Sequence, residues 1–471
     1  MIWILGLGLV VRLLVINQSL WLDEAIGAII AKSFSFSDII FKFPLTDNHP
    51  PLYYLILKAW TTFFGYSEIS LRIPSVIFGV AAIYLVFKIV KEFTKINPLV
   101  PALLLATSPL HIYYSQEARM YSLACFLATG AVYYFLRILK ESGRLFDWAV
   151  FSIFYTALAF SDYVPVFLYP VFVIYALVKQ LDRNWWGKFV LANTPLAVLG
   201  TFWIPILRVQ SEKGRWLLST LPAWGEIAGG ATVKHLQALF SKFILGRVSF
   251  FDKNIYLILV LIAAVPFVIA LLRAIKSGKA GGIFWLWLIV PSALGFAASF
   301  WFPVFIYFRY VFILPAFYIL LSLGLSGHFK FRKILIGGIL AVNMLGLSIY
   351  IFDKNQQRED WRGAVQFTEG NLKKDEAVIF DYPEPFAPYQ WYTEGALVIG
   401  AANSISVDPA LTEKKVSDSV KNLKGLYYFN YLENLTDPDG VVPAAILKEG
   451  FVEAGETVFR GVGSVFNYIK K

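Results

Sequence analysis

The stretch MIWILGLGLVVRLLVINQSLWLDEAIGAII (Met1–Ile30) decides how the rest of the chain is read. Met1–Ile16 is apolar except for Arg12, and two adjacent carboxylates, Asp23 and Glu24, follow within a few residues. An apolar run approaching 20 residues is long enough to cross a hydrocarbon core of roughly 30 Å. Carboxylates beside such a run are costly unless hydrated, paired or functional. The run lacks the basic n-region and small-residue cleavage site of a secretory signal peptide, so it reads as a first membrane span.

The whole chain follows the same pattern. Its 471 residues are 58% hydrophobic and 16% charged, against roughly 45–50% and about 25% in soluble domains. Apolar runs recur at 1–16, 69–88, 98–114, 120–137, 147–161, 163–178, 189–207, 254–272, 283–301, 304–325 and 333–352, with 147–161 and 163–178 also readable as one broken element. The expected fold is an α-helical polytopic membrane protein of about 11 transmembrane helices. Cys125 is the only cysteine, which excludes an intramolecular disulfide.

Charge orients the spans. Alternate connections are basic: Lys88, Lys91 and Lys95; Arg137, Lys140 and Arg144; Lys179, Arg183 and Lys188; Arg273, Lys276 and Lys279; Lys330, Arg332 and Lys333. The positive-inside rule makes these loops cytoplasmic. Residues 17–68, 115–119, 208–253, the turns near Asp162 and Pro303, and everything after Phe352 are then external. The net charge of +10 is thereby explained by topology and calls for no nucleic acid. Of the 14 acids in residues 1–352, only Glu92, Glu141, Asp147 and Asp182 fall on the cytoplasmic side, so acid-dependent chemistry faces outward.

Two domains are expected: 1–352, transmembrane and catalytic, with large external loops 17–68 and 208–253, and 353–471, a small external α/β domain. In the first loop, Ala25–Ala31 and Pro50–Phe64 have helical apolar patterning, and prolines after His49 suit a first helical turn. After Phe352 the composition turns to mixed charge. The runs AVIFDY, ALVIG, GLYYFNY and SVFNYI read as strands, and LTEKKVSDSVKNLKG as an amphipathic helix.

Four constellations could carry chemistry. Asp23 and Glu24 would point about 100° apart at a helix start, so that one can face a substrate while the other holds a partner. In DNHPPLYY (Asp47–Tyr54), His49 is a ligand, a proton carrier or a residue fixing the loop. In SPLHIYYSQEARMYSL (Ser108–Leu123), Glu117 and Arg119 interrupt apolar runs; they form an ion pair or serve as a second carboxylate and an anion partner. In FPVFIYFRYVFILP (Phe302–Pro315), Arg309 snorkels to lipid headgroups or meets an anionic substrate. Arg208, Lys213 and Arg215 add cations on the side where orientation does not require them, and with Arg309 they are the expected holders of a donor phosphate. No glycine-rich phosphate loop follows a strand in residues 1–352.

The motifs LWLDEAIGAIIAKS, HPPLYYLILKAWTTFFGYSEISLRIPSVIFG, SPLHIYYSQEARMYSL, YFRYVFILPAFYILLSLGL and REDWRGAVQF, in this order from about Leu20 to Gln366, resemble the dolichyl-phosphate-mannose protein mannosyltransferase-like group of GT-C membrane glycosyltransferases. The resemblance implies transfer of a sugar from a polyprenyl-phosphate donor to a protein, lipid or glycan acceptor at the external face of the cell membrane. It makes Asp23 the base, with Glu24 beside it, Glu117 at the second acidic position and Arg119 its neighbour; His49, Arg119 and Tyr121 are expected to bind substrate. At Ser161–Tyr163 the chain departs from the Thr-His-Tyr common in related sequences, and Asp162 takes the histidine position.

The chemistry is consistent with this. A sugar phosphate leaves as an already acidic phosphate, so the site needs a base for the acceptor and cations for the leaving group. Inversion is expected; a retaining route would need a second carboxylate nucleophile, a role left open for Glu24. If a divalent cation takes part, Asp23, Glu117 and His49 are the residues to hold it. The competing classes are a transporter or flippase and a non-catalytic receptor. Transporters place charges at the midplane on broken helices, whereas here they lie at span ends.

Overall fold

The computed structural model describes residues 1–140, 144–276 and 281–471, and Glu141 and Lys279 lie outside the described residues. The chain divides into two compact units: Met1–Ile16, Phe34–Ser211 and Ala228–Gln356 form the first, and Asn17–Ser33, Glu212–Ile227 and Gln357–Lys471 the second.

The first unit is helical. Among the described residues, Glu68–Phe93, Tyr121–Lys140, Arg183–Thr220, Lys253–Lys276, Tyr307–Gly324 and Arg332–Phe352 are long and apolar enough to cross a membrane. Ile2–Leu13, Leu145–Ala159, Val164–Val178 and Gly282–Ala298 are shorter apolar helices, and the pair left open as one broken element is thus two segments. The run 98–114 differs from expectation. It is broken into Leu99–Ala106 and Pro109–Ser115, because Ser108 caps the second piece through His111 N and Pro109 opens its first turn.

Burial sorts these helices. Most of Tyr121–Lys140 is enclosed by neighbours, whereas Lys253–Lys276 turns Ile255, Ile258, Leu261, Ile262 and Val265 outward. An outward apolar face on a helix of this length is what a lipid solvent permits and water penalises. The architecture is that of a multi-pass membrane protein. Arg12, the one charge in the first apolar helix, is fully buried and donates to the carbonyls of Gly8 (2.8 Å) and Ala106 (3.1 Å). Its Nη2 lies 2.6 Å from His111 Nδ1, so the charge spends its donors inside the protein. Arg183–Thr220 has 38 residues, about 57 Å at 1.5 Å per residue, nearly twice a hydrocarbon core; part of it must therefore lie beyond the bilayer.

The second unit holds a five-stranded sheet: β1 (Glu376–Phe380), β2 (Val398–Gly400), β3 (Gly425–Phe429), β4 (Phe451–Phe459) and β5 (Gly463–Lys470), in the order β2-β1-β3-β5-β4. β2, β1 and β3 are parallel, with Val378 opposite both Val398 and Tyr427, and β5 runs antiparallel to β3 and β4. β1 and β3 are buried along their whole length. Ala377, Ile379, Leu426 and Tyr428 enter one core with Val416 and Val420 of the Pro409–Val420 helix, while Val378, Phe380, Tyr427 and Phe429 enter another with Trp361 and Tyr389. Strand alternation assigns these sets to opposite faces, and burial on both faces is usual for parallel strands.

Four strands and the amphipathic helix fall where the sequence pattern puts them. β4 does not announce itself, because FVEAGETVF is an edge strand with exposed Glu453 and Glu456 and a bulge at Glu453–Gly455.

Candidate functional site

Asp23 and Glu24 open the Leu22–Ser33 helix, where carboxylates meet the positive end of the helix dipole. Leu22 packs on the Trp361 core, and Leu20 N donates to Tyr392 Oη at 2.8 Å, so this helix is anchored in the second unit. The two acids diverge there. Glu24 is fully buried, and the Nε of Arg358, itself buried, lies 3.9 Å from its Oε2. Asp23 is half-buried.

Arg358 belongs to the REDW stretch, which makes further contacts of its own. Arg358 N donates to Gln18 Oε1 (2.7 Å), Trp361 Nε1 donates to Glu359 Oε2 (2.7 Å), and Asp360 caps the Trp361–Asn371 helix. Tyr431 Oη donates to Glu359 at 3.2 Å. Burial raises the Tyr431 phenol well above its ordinary range, and the charges of Glu359 and Asp23 raise it further. Tyr431 therefore stays protonated, a neutral neighbour to Asp23.

In the first unit the HPP segment is tied down by Leu52 N, which donates to the Phe160 carbonyl at 3.1 Å. Asp47 Oδ1 accepts from His49 N (2.9 Å) and sits 2.5 Å from His49 Nδ1. On the far side of the ring, Arg119 Nη2 lies 3.2 Å from His49 Nε2, and Arg119 Nη1 donates to Tyr54 Oη at 3.0 Å. A guanidinium has no acceptor, so Nε2 accepts and the ring proton resides on Nδ1, facing Asp47. Burial would raise the Asp47 carboxyl, yet interactions with His49 and Arg119 outweigh it and hold the group below the usual carboxylate range. The Arg119 backbone is fixed as well: Tyr53 Oη contacts Ser75 Oγ at 3.1 Å, and Ser75 Oγ donates to the Arg119 carbonyl at 3.3 Å.

Glu117, in the turn before Tyr121–Lys140, is buried and within electrostatic reach of Tyr114, whose ring meets Tyr121 edge-on. Asp162 is buried and accepts from Val164 N at 3.4 Å, opening the turn that follows. Arg309 is half-buried in the 3-10 segment Tyr307–Ile313. Arg208 lies on the first-unit part of the long helix, and Lys213 and Arg215 on its second-unit part; all three are exposed.

A second group of cations lies elsewhere in the first unit: Lys242 is half-buried, and Arg247 and Lys253 are exposed. Gly246 ends the Val233–Leu245 helix at φ +76°, and a Cβ there would come within 2.6 Å of Pro109. Only glycine permits this approach, which lays Arg247 over the Tyr113 ring, 5.0 Å from its centroid and hydrogen-bonded to its hydroxyl. Lys242 is pushed down to about 8, by burial first and then by the charges of Arg247 and Lys253. Positive neighbours that disfavour the Lys242 ammonium favour an anion beside it. Among the described residues, no group of three or more His, Cys, Asp or Glu side chains is placed to hold a metal ion.

Residues 48–207 match the family model described as Dolichyl-phosphate-mannose-protein mannosyltransferase. A search of curated proteins finds no match. Among solved structures, ArnT from Cupriavidus metallidurans is similar over 99% of this chain and 97% of its own, with TM-score 0.61 and 11% identity, both in the apo state and bound to undecaprenyl phosphate. The chain has the GT-C fold. The archaeal oligosaccharyltransferase AglB from Archaeoglobus fulgidus, in complex with an inhibitory peptide and a dolichol-phosphate, is similar over 99% of this chain and 74% of its own, with TM-score 0.51 and 12% identity.

Within this GT-C chain, the family match includes His49, Glu117, Arg119 and Asp162 and leaves out Asp23, Glu24, Lys242 and Arg247. Sequence reasoning did not single out Asp47, Gln210, Lys242, Arg247, Glu359 or Tyr431. The signal for Asp47 lay two residues from His49, within Asx-turn reach. Nothing local marks Gln210.

Proposed function

We propose that the protein is an integral-membrane glycosyltransferase that moves a sugar from a polyprenyl-phosphate donor to an acceptor hydroxyl at the external face, with inversion. The observation that carries this reading is the divergence of the two adjacent acids, Asp23 half-buried and Glu24 enclosed beside Arg358. Asp23 takes the proton from the acceptor hydroxyl as its oxygen bonds to the anomeric carbon. The bond from that carbon to the phosphate oxygen breaks, and the electron pair leaves with polyprenyl phosphate. Glu24, buried against a cation, orients the helix start and is poorly disposed to act as a nucleophile, which supports a single displacement over a double one. The GT-C neighbours carrying undecaprenyl phosphate and dolichol-phosphate lend support to this donor class.

His49 and Arg119, held as a fixed hydrogen-bonding pair, bind the donor, with Glu117, Tyr121 and Asp162 shaping the same region. The phosphate is held by Arg247 with Lys242 and Lys253, and Arg309 adds charge. This reading predicts that Arg247→Ala raises KM for a polyprenyl-phosphate sugar roughly 10- to 100-fold in neutral detergent while kcat changes less, as expected for lost charge-assisted bonds worth about 1.5–3 kcal/mol. A KM unchanged in detergent, with a defect only in anionic bilayers, would make Arg247 a lipid anchor. Transfer of a radiolabelled sugar from a lipid donor by the purified protein tests the activity itself.

The external face rests on the basic alternate loops. Ser417 lies on the Pro409–Val420 helix, and Cys125 is buried. Ser417→Cys in a Cys125→Ala background is expected to react with a membrane-impermeant maleimide on intact cells. Protection there, with labelling only after lysis, would reverse the orientation.

A further inference from the structure

A partly buried run of hydrogen bonds approaches the Asp47–His49 turn from the long helix, and nothing in the proposed chemistry uses it. Trp203 Nε1 donates to Tyr163 Oη at 2.9 Å, Tyr163 Oη donates to Gln210 Oε1 at 2.7 Å, and Gln210 Nε2 donates to the Asp47 carbonyl at 2.9 Å. Trp203 and Gln210 are seven residues apart on the Arg183–Thr220 helix and so share a face. Gln210 is only 6% exposed.

The direction of this run is fixed by its ends. An indole N–H can only donate and a backbone carbonyl can only accept. Tyr163 accepts from the indole N–H and donates its own hydroxyl hydrogen to Gln210, which makes the facing amide atom Oε1 and turns the NH2 group toward Asp47. A flipped amide would set two acceptors against each other at the carbonyl and leave the tyrosine proton facing a donor. The amide has one orientation, and that orientation clamps the carbonyl of the residue whose carboxylate holds the His49 ring.

We propose that Gln210 is a positioning residue for His49: through Tyr163 and Trp203 it holds the Asp47 backbone, so that Asp47 keeps the His49 proton on Nδ1 and presents Nε2 to Arg119. The assignment concerns geometry at the turn and does not depend on the proposed function; only its kinetic consequence rests on that reading. Displacing such a turn by about 1 Å is expected to slow a positioned reaction by up to about 100-fold.

The test uses the full-length protein in detergent and two shape-preserving variants. Gln210→Met removes the donor to Asp47, and Tyr163→Phe removes only the hydroxyl that orients the amide. Hydrogen–deuterium exchange over residues 45–52 is expected to rise in Gln210→Met, and to rise less in Tyr163→Phe. Tyr163→Phe should add nothing in the Gln210→Met background, because it acts through that amide. In transfer assays Gln210→Met should lower kcat about tenfold or more with KM for the donor changed less, and the loss should vanish when His49 is already alanine. Unchanged exchange over 45–52, or losses that add fully to those of His49→Ala, would overturn the assignment. Absence of transfer by the wild-type protein from any lipid-linked donor would instead sink the proposed function and leave the exchange result to decide the role of Gln210.

Discussion

Asp23→Asn is expected to lower kcat for sugar transfer by about 10²–10⁴, the range general-base catalysis commonly supplies, with donor binding and expression nearly unchanged. The substitution keeps the shape of the side chain while removing the proton acceptor, so the loss falls on the transition state and leaves KM largely alone. Asp23 is half-buried at the start of the Leu22–Ser33 helix, which leaves its carboxylate accessible to a hydroxyl. Glu24→Gln tests the contrast. It removes the charge facing Arg358 at 3.9 Å within a buried setting, where breaking one side of an ion pair costs about 3–5 kcal/mol. Its expected signature is lost stability of the second unit as well as lower activity. Near-normal turnover by Asp23→Asn would remove Asp23 from the mechanism, and a thermally unperturbed but inactive Glu24→Gln would move the chemistry to Glu24.

A second large effect is expected from pH, through Asp381 at the carboxyl end of β1. The side chain is fully buried, Thr436 Oγ1 donates to its Oδ2 at 2.6 Å, and Oδ1 meets no donor among the described residues. Burial, with the nearby charges of Asp437 and Glu433, pushes its carboxyl up to about 7 against the Thr436 hydrogen bond. A folded-state value above the ordinary one means that the proton is bound more tightly when folded. The stabilisation is therefore complete below about pH 4 and is lost as pH rises through about 7. A shift of this size corresponds to roughly 4 kcal/mol. Slow exchange of the β1 and β3 amides, corrected for intrinsic rates, is expected to weaken from pH 5 to pH 8 in the wild-type protein. In Asp381→Asn, which still accepts from Thr436 but carries no proton to lose, this dependence should flatten. Equal protection at both pH values in the wild-type protein would show that Asp381 ionises at no cost and would refute the assignment.

The sequence alone determined what depends on neighbours in the chain. Crossing a hydrocarbon core takes a run of about 20 apolar residues, so the apolar runs stand out by length and composition, and the Ser108–Pro109 break, a capping and proline effect, divided one of them. β1 and β3 were legible as short apolar runs between turns, whereas β4, with one edge unpaired and charged residues outward, lacked that signal. The acidic pair, the HPP turn and the EAR turn were visible because charges are scarce in an apolar chain. The distribution of roles among them was not. Glu24 faces Arg358, Gln210 reaches Asp47 across 163 positions, and Arg247 reaches Tyr113 across 134. Only the tertiary structure decided these, along with the grouping of Asn17–Ser33 with the C-terminal sheet unit. The physical reason is that hydropathy and periodicity act between residues a few positions apart, whereas the burial that separates Asp23 from Glu24 and the hydrogen bonds that aim His49 arise only when distant segments pack together.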